Sequence, residues 1–70
     1  MVTSNKKVGT KIRDLRIKNR YSKIDFANLM GVSLRTVYRW EEGVCKIRET
    51  NIIRICEVLG VSIRFFSNDD

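Results

Sequence analysis

Between Met30 and Leu34 the chain reads Gly31-Val32-Ser33, and this triplet limits the fold more than any other stretch. Glycine can take the left-handed conformation that ends a helix. Serine can start one, because its hydroxyl accepts a hydrogen bond from an N–H of the first turn. With one residue between stop and start, two short helices must meet at a tight turn. The same punctuation recurs at Gly43, and again at Gly60 followed by Ser62. No proline breaks the 70 residues, so the stretches between these marks read as helix formers throughout. The predicted fold is all-α, a compact bundle of five helices around one core.

The periodicity places the elements. Val8, Ile12 and Leu15 recur at helical spacing between basic residues, predicting a first helix from near Asn5 to near Asn19, with Ile17 off the apolar stripe. Ser22 is placed to cap a second helix, with Asp25 where a capping-box acid would sit and Tyr21 and Phe26 spaced as a hydrophobic staple. That helix runs through Ala27, Leu29 and Met30 to Gly31. Ser33 caps the third, Leu34 to Glu41, which Gly43 ends; Val44 to Arg48 reads as a loop. A fourth helix, Glu49 to Leu59, carries Ile52, Ile55, Cys56 and Leu59 on one face, and Ser62 caps a final turn from Ile63 to Phe66. Residues 1–4 read as a disordered lead, 5–66 as the domain and 67–70 as a polar tail. Trp40 falls in register with Val37 and is expected in the core, as are Tyr21, Phe26, Phe65 and Phe66.

Charge narrows the partners. The net charge is +6, and Lys6, Lys7, Lys11, Arg13, Arg16, Lys18 and Arg20 face only Asp14 within the first twenty residues. A basic balance of this kind suits a polyanion, nucleic acid before an anionic membrane. The apolar stripe of the first helix is too small to serve both a core and a bilayer surface, so no membrane partner is expected. With no histidine and only Cys45 and Cys56, a four-ligand zinc site lacks donors, and no metal or other cofactor is expected. The chain offers no Gly-rich phosphate loop and no nucleophile–base pair, so an enzyme acting on a small-molecule substrate is disfavoured. The polar, basic start has no apolar signal core, which suggests a cytoplasmic protein with free thiols. A redox role is conceivable for Cys45, in a loop among basic residues, but an incidental thiol is the favoured reading.

The informative constellation is Ala27, Gly31 and Val37. Two helices that cross steeply need a small side chain at the crossing, a residue tolerant of positive φ in the turn and an apolar anchor on the second helix; this is the arrangement of a DNA-binding helix-turn-helix. The segments Val8 to Arg16, Tyr21 to Ala27, Gly31 to Gly43 and Leu59 to Ser62 together resemble the helix-turn-helix domains of phage Cro and repressor proteins and their bacterial relatives, the XRE-type transcriptional regulators. The resemblance covers the chain from about residue 5 to residue 66.

That resemblance implies a sequence-specific double-stranded DNA-binding regulator, a repressor on a palindromic operator, with Ser33 to Trp40 as the recognition helix in the major groove. Leu34, Arg35 and Arg39 take the positions that face base edges, with Thr36 and Tyr38 reaching bases or backbone. Ser33, Lys23, Lys46 and Arg48 take the phosphate positions. Lys23 stands where the family most often has a glutamine that also braces the recognition helix, and the family's proline near Ile47 and serine near Arg48 are absent here. Arg16 and Glu41 match a pair that forms an internal ion pair in some relatives. Arginines at i and i+4 share one helix face, so Arg35 and Arg39 can enter one groove together, with guanine the natural target of each. The apolar residues Ile53, Val61 and Ile63 exceed what one small core needs and suggest a homodimer face at the C-terminal region. The rival reading is a protein-interaction module, antitoxin-like or an adaptor, that uses this apolar face instead of Arg35.

Overall fold

The computed structural model describes residues 5–67. Five helices follow in order: α1 (Asn5–Lys18), α2 (Lys23–Met30), α3 (Leu34–Glu42), α4 (Glu49–Leu59) and α5 (Arg64–Ser67). Residues 1–4, expected as a lead, and 68–70 of the tail expected over 67–70 lie outside the described residues, while Ser67 belongs to α5 rather than to a tail. No helix among the described residues is long and apolar enough to cross a membrane.

The boundaries follow the capping signals. The Ser22 hydroxyl accepts from the Asp25 N–H at 3.0 Å and starts α2. The Ser33 hydroxyl accepts from the Thr36 N–H at 3.1 Å and starts α3. Gly31 closes α2 at φ 71°, its N–H returning to the Asn28 carbonyl at 3.2 Å, while the Val32 N–H bonds the Ala27 carbonyl at 3.0 Å. Each of these bonds satisfies a backbone group that a helix end leaves unpaired. Where α1 ends, Arg20 takes a left-handed φ of 63° without being glycine. The α5 helix sits one residue later than the expected turn: the Ser62 hydroxyl accepts from Arg64 N at 3.2 Å, so the helix begins at Arg64 rather than Ile63.

One core joins all five helices. Ile12, Phe26, Val37 and Ile55 are fully enclosed, with Leu15, Ala27, Met30 and Trp40 beside them. Ile52 and Leu59 pack partly buried against this cluster, as does Tyr21 from the link between α1 and α2. Two expectations need correction. Phe65 is 39% exposed; neighbouring residues on a four-residue helix point apart, so only Phe66 turns inward. The Phe65 ring meets Phe66 edge-on at 5.2 Å, and the Lys11 ammonium lies 5.9 Å from its centre. Ile47, expected only as part of a loop, is buried and pins that loop to the core.

The tightest crossing is between α1 and α3. A Cβ on Gly9 would overlap the Trp40 carbonyl oxygen and lie 2.8 Å from that of Glu41. A Cβ on Gly43 would stand 2.7 Å from the Lys6 Cα, at a φ of 72°. Two glycines thus let the backbone of α1 rest on the C-terminal half of α3. This contact fixes the inward face of α3, and therefore also the face it presents to solvent.

Candidate nucleic-acid interface

Helix α3 is sharply two-sided. Val37 and Trp40 point into the core. Leu34, Arg35, Tyr38 and Arg39 are exposed, with Tyr38 at 49%. The spacing explains the division: residues three and four apart share a face of a helix, so Val37 and Trp40 form one stripe and Leu34, Arg35, Tyr38 and Arg39 the other. Two guanidiniums and a phenol on a rigid, anchored helix form a convex surface rich in donors, which suits a groove of nucleic acid rather than a small ligand.

The base of this surface is held by Ser33 and Thr36. Besides capping α3, the Ser33 hydroxyl lies 2.9 Å from the Thr36 hydroxyl, so the two share a hydrogen bond. Thr36 is half-buried, as is Lys23 among the side chains expected to face a ligand. Lys46 and Arg48 are exposed on the loop after α3. Arg48 is also the residue before α4, and it offers no side-chain acceptor to that helix.

Behind α3 lies a polar network. The Arg16 Nε donates to Glu41 Oε2 at 2.7 Å, and its Nη1 donates to the Tyr21 carbonyl at 2.8 Å. The Lys23 ammonium pairs with the other Glu41 oxygen at 3.4 Å and sits 5.3 Å from the centre of the Tyr38 ring. The Arg16–Glu41 pair expected from the sequence is therefore present. Lys23, expected at a phosphate, is engaged inside the protein as well. Its place opening α2 was visible in the sequence, but its two partners were not. The packing roles of Gly9 and Ile47 were not anticipated; the one signal for Gly9 is that a glycine in a helix interior costs about 1 kcal/mol relative to alanine, and so points to a packing reason.

The C-terminal face carries a second feature. Ile53 and Ile63 are exposed, while Val61 is half-buried against the core. With Cys56, Glu49 and Glu57 they line a shallow groove of about 470 Å³. Burial raises the Cys56 thiol above its ordinary pKa, and the neighbouring Glu57 charge adds to the effect.

Comparison with known proteins agrees with this geometry. A family model described as helix-turn-helix matches residues 12–66. An uncharacterized HTH-type transcriptional regulator of Haemophilus influenzae is 40% identical over 43 residues, which are 61% of this chain and 18% of that relative. The chain thus spans less than a fifth of that relative's length. Among solved structures, the restriction-modification controller protein C.AhdI of Aeromonas hydrophila superposes with a TM-score of 0.80 at 26% identity, covering 89% of this chain and 94% of that one. A chain of the Fe(II) enzyme HppE superposes with a TM-score of 0.81 at 28% identity, but over only 34% of its own length against 94% of this chain.

Proposed function

This chain belongs to the helix-turn-helix family, of the XRE type, and from that membership we propose that it is a sequence-specific double-stranded DNA-binding transcriptional regulator, a repressor that reads a palindromic operator through Ser33 to Trp40. One observation carries the reading. Arg35 and Arg39 stand exposed one turn apart on α3, while Val37 and Trp40 lock the opposite face into the core. A reading helix must not roll in its groove, and this one is held against rolling by burial and by the α1 crossing at Gly9.

Arg35 and Arg39 face base edges, with at least one of them on a guanine in each half-site, and Leu34 packs on a thymine methyl. Ser33, Lys46 and Arg48 contact phosphates and set affinity and its salt dependence. Two copies associate through Ile53, Val61 and Ile63, and half-sites then lie about 34–36 Å apart, one turn of B-DNA. Repression follows from occluding the polymerase, in the cytoplasm where the DNA lies.

Selection from a random double-stranded DNA library tests this reading. Enrichment of a two-fold symmetric sequence with a guanine in each half-site supports it. No enrichment, with weak and purely salt-sensitive binding, contradicts it and favours a protein partner at the C-terminal groove.

A further inference from the structure

We propose that Lys23 is a positioning residue that sets sequence preference by holding the Tyr38 ring, rather than a phosphate contact; the inference rests on the DNA-reading role of α3. The ammonium is placed by two partners at once. Glu41 Oε1 lies 3.4 Å away, and the Tyr38 ring centre 5.3 Å away. The Lys23 side chain is only 29% exposed, and that of Glu41 only 4%. A cation partly withdrawn from water over an aromatic face is held more firmly than one in bulk solvent. Tyr38 is 49% exposed on the outward face of α3, and the Lys23 ammonium lies over its ring. Lys23 therefore ties the first residue of α2 to the reading face of α3. It converts a mobile phenol into a fixed one.

The Glu41 carboxylate is shared between two cations, Arg16 at 2.7 Å and Lys23 at 3.4 Å, and it draws the Lys23 ammonium toward the end of α3. Removing Lys23 leaves no orphaned acid, because Arg16 still bonds both Glu41 oxygens, at 2.7 and 3.3 Å. Lys23→Met is thus expected to fold, and its effect on DNA can be measured directly.

The test has two arms. In the free protein, NMR should show the Lys23 side-chain methylene protons displaced upfield by the Tyr38 ring, with the displacement abolished in Tyr38→Leu. On DNA, wild type, Lys23→Met and Lys23→Arg are compared by site selection and by titration at several salt concentrations. Lys23→Met should lose discrimination about tenfold at the base step under Tyr38, and Lys23→Arg should restore it, while the slope of log K against log salt stays at the wild-type value. A slope reduced by about 0.9 with the preferred sequence intact would make Lys23 a phosphate contact and overturn the inference alone. Absence of the upfield displacement also overturns it. If wild type itself selects no sequence, the regulator reading fails and takes the inference with it.

Discussion

The Arg16 guanidinium and the Glu41 carboxylate, one on α1 and the other on α3, meet at 2.7 Å with side chains only 9% and 4% exposed. The same guanidinium donates to the Tyr21 carbonyl at 2.8 Å, so one side chain joins α1, the link to α2 and the end of α3. Breaking a buried pair by removing one partner costs about 3–5 kcal/mol, because the other charge stays buried. Lys23 remains beside Glu41, so Arg16→Ala should fall at the lower end, about 3 kcal/mol in urea unfolding. Replacing Arg16 by Met and Glu41 by Leu together should cost less than either single change. A double variant weaker than both would show that the pair itself carries the stability.

Gly9→Ala tests the α1–α3 crossing. The added methyl meets two backbone carbonyls rather than a side chain that can swing away. Overpacking typically costs 1–3 kcal/mol, and with backbone on the far side we expect about 3. For a domain of this size, that lowers the thermal midpoint by roughly 12–24 °C. A midpoint within a few degrees of wild type would mean that the two helices separate easily.

The features legible in the sequence were those whose cause is local. Ser22, Ser33 and Gly31 act on backbone groups within four residues of themselves, so their spacing alone placed α2 and α3. Val37 and Trp40 share a helical stripe, and their burial followed from register. Arg16 and Glu41 had to come from a family resemblance, because no local rule connects positions on separate helices. Gly9 was overlooked because the carbonyls that forbid a larger residue belong to α3, which only the folded chain brings near. Phe65 was misplaced because periodicity cannot decide which of two adjacent phenylalanines a four-residue helix turns inward. The contacts of Lys23 with Glu41 and Tyr38 were not legible because both partners lie on another helix.

The caps should show in stability. Ser33→Ala removes the acceptor for the Thr36 N–H and the partner of its hydroxyl, and should cost about 1 kcal/mol. Ser22→Ala should cost a similar amount through the Asp25 N–H. Glycine at either position should be milder by several tenths of a kcal/mol. Chemical denaturation of the four variants checks the order; alanine and glycine behaving alike at Ser33 would deny the cap its role.

The two thiols should differ in reactivity. Cys45 is half-buried on a loop and Cys56 is buried on α4. A thiol reagent at neutral pH should modify Cys45 first and reach Cys56 only on unfolding. The raised pKa of Cys56 also has a sign in stability. Folding favours the neutral thiol, so its contribution is complete below the unfolded thiol's pKa, about 8.5, and is lost as pH rises through the higher folded value. The stability gap between wild type and Cys56→Ala should therefore narrow from pH 7 to pH 10. A gap that widens would contradict the burial of this thiol.

The central claim is that α3 reads bases, and Arg35 tests it most directly. On the sequence selected by wild type, Arg35→Ala should bind about 1–3 kcal/mol more weakly and tolerate substitution at one base pair of each half-site, while non-specific affinity is kept. If Arg35→Ala binds that sequence as tightly and as selectively as wild type, α3 is not the reading helix and the account fails.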